Sequence, residues 1–276
     1  MFVLEILKVI IIGIVEGITE WLPISSTGHM ILLDEFIRLD LSAEFFEMFL
    51  VVIQLGAILA VPILFWQKLN PFVKSKEEQS SRLYLWLKVF VGAMPAALLG
   101  LMLDDLLDKY FYNYTVVAIS LIVYGIIFTF DIKSRAEPKT TIGTVGALSF
   151  YDALKIGAFQ TLSLIPGTSR SGTTILGGIL CGASREVSAE FSFFMAIPIM
   201  FGASSLKIAK FIVRGYVASS EEIFLLLIGI VVSFLVSLVV IKFLMDYVKK
   251  RDLKVFGYYR IVLGIVVLFY FILKRI

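Results

Sequence analysis

Six long apolar runs constrain this chain more than any other feature of its sequence. A helix needs about 20 consecutive apolar residues to cross the hydrocarbon core of a bilayer, and runs near this length recur along the whole chain. The hydrophobic fraction of 59% exceeds that of soluble domains, which is about 45–50%. We therefore predict an all-α polytopic membrane protein that forms a single integral membrane domain over 1–276. The predicted spans are 45–66, 83–103, 115–130, 189–213, 223–245 and 255–273.

Two further apolar regions, 2–33 and 150–180, are interrupted by Pro, Gly, Ser and Thr. Non-helical backbone persists at membrane depth only where it is buried in protein or lines a wet cavity. We therefore expect two re-entrant helical hairpins in addition to the six transmembrane helices. Their polar tips read EGITEWLPISSTGHM (16–30) and FQTLSLIPGTSRSGTT (159–174).

A weak internal repeat relates the two tips. The motif SAEF occurs at 42–45 and again at 188–191. With the two predicted tips, this indicates halves 1–140 and 141–276, each with one hairpin and three spans. An odd number of spans per half predicts an inverted-topology repeat, in which sites lie near the midplane at broken helices. Pairs 144 residues apart are Gly13 and Gly157, Glu16 and Gln160, Thr19 and Ser163, Ser25 and Ser169, Thr27 and Ser171, and Gly28 and Gly172.

Charge in the connections indicates an orientation. Lys and Arg are concentrated in 67–82, in 131–140 and around 249–254, whereas 104–109 is acidic. Basic connections remain on the cytoplasmic side, so we expect the first hairpin to enter from outside. Lys207, Lys210 and Arg214 near an outer connection argue against this orientation. The net charge of +3 is modest, and we expect no nucleic-acid partner.

The second tip has the composition of a phosphate site. Arg170 stands among hydroxyl residues at an expected helix start, and a guanidinium beside hydroxyls and unpaired N–H groups suits a phosphate. Ionisable groups at membrane depth cost roughly 2.5–3.5 kcal/mol each, so they are functional candidates. An alternative is that Arg170 pairs with Glu16 or Glu20 only to hold the halves together.

The first tip carries a carboxylate pair and the only histidine of the chain. Glu16 and Glu20 are four residues apart, so a helix places both on one face. Paired carboxylates beside a phosphate site suit Mg²⁺ or Ca²⁺; the alternatives are an exposed helix face or a proton relay. His29 is a candidate acid, base or nucleophile, or a hydrogen-bonded structural residue.

These tips carry a family resemblance. The segments EGITEWLPISSTGH and PGTSRSGTT resemble the two signature motifs of the bacitracin-resistance family of undecaprenyl-diphosphate phosphatases. The segment 51–61, VVIQLGAILAV, is also similar to a family segment, and the length and hydrophobic layout agree over nearly the whole chain. Together the two motifs are specific, whereas either alone is weak.

The resemblance implies a bacterial plasma-membrane enzyme that removes one phosphate from a C55 isoprenoid diphosphate and so recycles a lipid carrier for cell-wall polymers. It also implies a divalent-cation requirement and a site that opens to the outer face. Motif and tip position assign catalytic roles to Glu20, Ser26, His29 and Arg170, metal binding to Glu16 and Glu20, and substrate contacts to Ser25, Thr27, Gly167, Ser169, Ser171, Thr173 and Thr174.

Several alternatives remain open at this point. Ser26 or His29 attacks phosphorus, and we favour Ser26. A lipid-phosphate flippase would use the same headgroup site without hydrolysis. A lipid phosphatase with a two-histidine scheme needs a second histidine, and a purely structural protein would bury these charges at high cost. The glycine-rich segment 176–184 packs helices within one chain or across a homodimer.

Overall fold

The computed structural model describes residues 2–111, 113–130 and 141–275, and most of these lie in helices. Two single-turn 3₁₀ helices, Val145–Ala147 and Leu162–Leu164, lie in the second half. The α-helices are α1 (Phe2–Thr19), α2 (Ser26–Phe36), α3 (Ala43–Leu64), α4 (Trp66–Leu69), α5 (Lys76–Tyr110), α6 (Tyr114–Thr129), α7 (Phe150–Thr161), α8 (Arg170–Leu180), α9 (Arg185–Val213), α10 (Ser220–Lys250) and α11 (Lys254–Arg275).

Five helices in the described part of the chain are long and apolar enough to cross a bilayer. They are α3, α5, α9, α10 and α11. The helix α6 is apolar but has 16 residues, a length of about 24 Å at 1.5 Å per residue. The prediction of an all-α, multi-pass membrane protein is therefore confirmed.

The connections differ from those predicted at both ends of α5. Residues 104–109, predicted as an acidic loop, form the last turns of this helix, and Arg82 lies inside it. The helix begins early because the Ser75 hydroxyl accepts a hydrogen bond from the Glu78 N–H, and two acidic residues occupy the first turn. The predicted basic connection 131–140 lies outside the described residues.

Both polar regions consist of two helices separated by a break, as the interruptions in the sequence predict. Each short second helix, α2 and α8, begins after a serine with positive φ: +73° at Ser25 and +72° at Ser169. Each serine hydroxyl accepts a hydrogen bond from a glycine N–H three residues on. Positive φ is uncommon for a residue with a side chain and costs energy, so these loops share an unusual local geometry.

The repeated SAEF motif does not occupy equivalent positions. Ser42 caps the start of α3, whereas Ser188 lies within α9, whose cap is Ser184. The second copy is therefore displaced by four residues, about one helical turn. The division into halves remains a prediction.

Close helix contacts hold the two broken segments in place. The helix α1 packs against α10, α7 packs against α5, and α6 packs against α11. A Cβ atom on Gly157 would lie 2.1 Å from the Gly92 carbonyl oxygen, so only glycine permits this approach of α7 to α5.

The glycine-rich segment 176–184 packs inside the chain. A Cβ atom on Gly177 would lie 2.8 Å from Phe159 Cβ, and one on Gly178 would lie 2.6 Å from Ser188 Oγ. Two of its glycines therefore serve contacts of α8 with α7 and α9. These contacts favour the within-chain alternative for this segment.

Candidate active site

The polar tips 16–30 and 159–174 are called the first and second polar loops. The Glu20 carboxylate joins these two loops. Glu20 follows the end of α1, and its Oε2 accepts a hydrogen bond from Ser26 Oγ at 2.9 Å. Its Oε1 accepts one from Arg170 Nη2, also at 2.9 Å. Ser26 and Arg170 are the first residues of α2 and α8. Because helix N-termini carry partial positive charge, two such ends meet at one anion.

The Arg170 guanidinium is held on three sides. Its Nη1 donates to the Ser192 carbonyl oxygen at 3.0 Å, while Nη2 binds Glu20. The guanidinium carbon lies 5.6 Å from the ring centroid of Trp21. The Arg170 and Glu20 side chains are only 11% and 7% exposed. This pair suits a phosphate site in a low-dielectric environment and also holds the loops together.

Serines of the second loop extend this junction. Ser171 Oγ donates to the Leu22 carbonyl oxygen at 3.2 Å. Ser169 Oγ and Ser171 Oγ lie 3.2 Å apart and share a hydrogen bond. The predicted residues Glu20, Ser26, Ser169, Arg170 and Ser171 are therefore brought together at the contact between the loops.

Arg260 was not predicted as a site residue, but it binds the backbone of both loops. This side chain on α11 is fully buried, at 0% exposure. Its Nη1 donates to the Pro23 carbonyl oxygen at 3.2 Å, and its Nη2 donates to those of Gly167 and Thr168 at 2.9 Å each. A lone charge within the apolar run 255–273 was the available signal. Gly167 was predicted to contact substrate. Its carbonyl oxygen accepts a hydrogen bond from Arg260, and its φ is +91°.

His29 lies in the first loop, and both of its ring nitrogens are engaged. Nδ1 lies 2.7 Å from the Ser25 carbonyl oxygen. A carbonyl only accepts, so the network assigns the proton of the neutral ring to Nδ1. Nε2 lies 2.6 Å from the Tyr259 hydroxyl, which therefore donates to it. The two rings stack with centroids 5.6 Å apart and planes 6° apart.

The predicted threonine contacts face inward. Thr173 Oγ1 lies 3.0 Å from the Arg170 carbonyl oxygen, and Thr174 Oγ1 lies 2.8 Å from the same oxygen. Thr174 Oγ1 also lies 2.5 Å from Ser192 Oγ. Both threonines are buried, so their hydroxyls serve the helix in this structure. Thr27 is the second residue of α2 and is half-buried. Phosphate contacts by these three side chains remain predictions.

Glu16 is the residue that suits a cation. Its side chain is 1% exposed, and Oε1 has no hydrogen-bond partner among the described residues. A buried carboxylate oxygen without a donor favours a positively charged ligand. Within the described part of the chain, no three His, Cys, Asp or Glu side chains form a group that would hold a metal. Metal binding by Glu16 and Glu20 therefore remains a prediction.

The fold and this junction define a polytopic helical membrane protein with a charged site buried where two broken helical segments meet. The family model described as Bacitracin resistance protein BacA matches residues 9–266, and the chain belongs to this family.

Similar proteins cover the whole length of the chain. A protein of Acetivibrio thermocellus named undecaprenyl-diphosphatase is 55% identical over 99% of this chain and 100% of its own. Proteins of the same name from Enterococcus faecalis and Desulfitobacterium hafniense are 57% and 52% identical, over 96% and 100% of this chain and 97% and 99% of their own. The resemblance drawn from the two motifs is confirmed.

Proposed function

We propose that this chain hydrolyses undecaprenyl diphosphate to undecaprenyl phosphate and inorganic phosphate, which recycles the lipid carrier for peptidoglycan synthesis. Relatives that match this chain over nearly their full length are named undecaprenyl-diphosphatase, after this activity. The observation that carries the proposal is the Glu20 carboxylate shared between Ser26 and Arg170. This arrangement places a hydroxyl nucleophile, a base and a phosphate-binding cation within one hydrogen-bond chain.

Substrate binding falls to Arg170 and the two helix N-termini. A guanidinium forms paired hydrogen bonds with phosphate oxygens, and the first turns of α2 and α8 direct N–H groups toward the same place. A diphosphate would take over the part of the guanidinium that Glu20 now holds. Ser169 and Ser171, the residues on either side of Arg170, would supply further hydroxyl contacts.

Ser26 is the nucleophile in this proposal. Its Oγ–H bond points at Glu20 Oε2, so the carboxylate accepts the proton as Oγ forms a bond to the terminal phosphorus. The bond from that phosphorus to the bridging oxygen breaks, and undecaprenyl phosphate leaves with the electron pair. Arg170 stabilises the negative charge that develops on the phosphoryl oxygens. Water then cleaves the phosphoserine and releases inorganic phosphate.

His29 is less suited to attack than Ser26. A nucleophilic imidazole needs a free nitrogen lone pair, and the one on Nε2 accepts a hydrogen bond from Tyr259. We therefore assign proton transfer to His29 rather than a covalent bond to phosphorus. A stable phosphoramidate on His29 would contradict this assignment.

We propose that Glu16 supplies the protein ligand for a divalent cation, Mg²⁺ or Ca²⁺. Such a cation commonly combines one or two carboxylates with substrate phosphate oxygens and water, and it would offset charge on the diphosphate. Support comes from the unpartnered Glu16 Oε1. Both Glu20 oxygens already have donors, so we expect Glu20 to act chiefly as the base.

We also propose the finer membrane arrangement. Six spans would include the short α6, and α1–α2 and α7–α8 would be re-entrant hairpins in inverted halves. The matched positive-φ serines, Ser25 and Ser169, support this repeat. The reciprocal packing of α1 on α10 and of α7 on α5 supports it as well. The protein would lie in the bacterial plasma membrane with its site open to the outer face.

The test is phosphate release from C55 diphosphate by the purified protein in detergent. We expect release by the parent chain and a loss of at least about 10³-fold in Ser26→Ala. Ser163→Ala is the matched control, because Ser163 Oγ donates only into its own turn, to the Gln160 carbonyl oxygen. Labelled phosphate trapped on Ser26 would establish the nucleophile. Headgroup movement across liposomes without phosphate release would instead support a flippase.

A further inference from the structure

We infer that Tyr259 is a positioning residue for His29, a role that rests on the proposed function of the site. The Tyr259 hydroxyl lies 2.6 Å from His29 Nε2, and the ring stacks on the imidazole. Tyr259 would hold the imidazole in one plane and one tautomer, with Nδ1 protonated. The ring could then exchange a proton at Nε2 along its hydrogen bond with the Tyr259 hydroxyl, without first having to reorient.

The two ring nitrogens of His29 have different partners, a carbonyl oxygen at Nδ1 and a hydroxyl at Nε2, and this difference supports the role of Tyr259. The Ser25 carbonyl oxygen fixes Nδ1 from within the loop, as a carbonyl or carboxylate does for many working histidines. The orienting contact on Nδ1 thus leaves Nε2 as the nitrogen for chemistry. In this structure that nitrogen faces a phenol donated by another helix, 230 residues away in the sequence.

Two neighbouring side chains of α11 form hydrogen bonds with the first loop. Arg260 binds the Pro23 carbonyl oxygen, and Tyr259, the preceding residue, binds His29. Tyr259 is 45% exposed, and it contacts the site through its hydrogen bond and its ring stack with His29.

The experiment uses the fact that His29 is the only histidine of the chain. Protein grown with ¹⁵N-labelled histidine gives the ring signals of one residue, and these report its tautomer and hydrogen bonds. The variant Tyr259→Phe keeps the aromatic ring and removes the hydroxyl. The matched control is Tyr258→Phe, which removes a hydroxyl from the adjacent, 59% exposed residue of the same helix.

We expect Tyr259→Phe to move the Nε2 signal downfield, because the nitrogen loses its donor, while the Nδ1 signal keeps its position. We also expect kcat to fall by about 10-fold with KM nearly unchanged, since the ring loses orientation rather than substrate contact. Tyr258→Phe should match the parent in both measurements. Parental ¹⁵N signals or a parental kcat in Tyr259→Phe would overturn the inference.

The proposed function and the positioning role of Tyr259 can be contradicted separately. A parent protein that releases no phosphate would contradict the proposed function, whereas the ¹⁵N spectrum would still test the Tyr259–His29 bond. A parent that releases phosphate together with an unaffected Tyr259→Phe variant would contradict only the positioning role. An unchanged melting temperature of Tyr259→Phe ensures that a lower kcat does not come from unfolding.

Discussion

The two polar loops share a backbone device but differ in their side chains. Ser25 and Ser169 have the same positive φ and cap the short helices in the same way. The next residue is Ser26 in the first loop and Arg170 in the second, and both bind Glu20. The shared backbone geometry therefore supplies two helix N-termini, whereas the side chains differ: the first loop gives Glu20 a hydroxyl and the second gives it a guanidinium. In the proposed function these are the nucleophile and the phosphate-binding group.

The loops also differ in how firmly they are packed. In α8 every residue from Ser171 to Gly178 is buried, and the helix packs on α7 and α9. In α2 only Gly28 is buried, and the helix contacts α1, α6 and α11. Sparse burial lowers local stability. The second loop is therefore packed more firmly than the first.

The largest expected effect comes from exchanging the equivalent residues. The double variant Ser26→Arg with Arg170→Ser retains the same two residue types at exchanged positions. We expect phosphate release to fall by at least about 10³-fold, because the nucleophile no longer adjoins Glu20 Oε2. Phosphate release from C55 diphosphate measures this. Appreciable activity would mean that the two loops are chemically interchangeable and would break the comparison.

Arg170→Lys sharpens the comparison from the side of the second loop. A lysine ammonium lacks the planar fork that binds both Glu20 and the Ser192 carbonyl oxygen. We expect kcat/KM to fall by about 10²-fold. The control Arg185→Lys changes an arginine at the start of α9, which donates to the Arg251 carbonyl oxygen after the end of α10. Equal losses in both variants would argue against a specific role for the fork.

Arg260→Met tests whether α11 joins the loops. Methionine fills a similar volume but leaves the Pro23, Gly167 and Thr168 carbonyl oxygens without this donor. We expect the free energy of unfolding to fall by about 2–3 kcal/mol, measured by thermal or denaturant unfolding in detergent. Arg251→Met, at an exposed position before the same helix, is the control. A parental melting temperature in Arg260→Met would show that the loops meet without the arginine.

The smallest effect compares equivalent glycines of the two entering helices. A Cβ atom on Gly157 would lie 2.1 Å from a backbone oxygen, whereas one on Gly13 would meet its nearest atom at 3.0 Å. We expect Gly157→Ala to destabilise by about 1–2 kcal/mol more than Gly13→Ala. Gly202→Ala is the control, because that Cβ would meet nothing within 4 Å. Equal melting temperatures for the first two variants would contradict the tighter packing of α7 than of α1.

Much of this arrangement was predictable from residue patterns. Broken apolar segments indicated two polar loops within a helical membrane protein, and the ion pair of Arg170 with a first-loop glutamate was among the alternatives. The choice of Glu20 over Glu16 was not predictable, because residues four apart share one helix face. Only the fold shows which of them reaches the start of α8.

Other features were not predictable because the hydropathy of a sequence window is an average over its residues. Arg260 is one charge in an otherwise apolar run, and Tyr259 resembles any aromatic residue near a membrane surface. The ends of α5 escaped for a related reason: hydropathy identifies its apolar middle, while the capped and charged turns at its ends resemble loops. Contacts over long sequence separations decide the cases of Arg260 and Tyr259, and a local cap decides where α5 begins.

The contact made by Arg260 has a consequence for biosynthesis. The donor that joins the loops lies 92 residues after Thr168 and 237 after Pro23. Both polar loops are therefore synthesised before the ribosome reaches the residue that binds them. The contact between the loops would be complete only when α11 is in place. A chain stalled before α11 would therefore lack the Arg260 donor and would expose both loops to lipid and to membrane proteases.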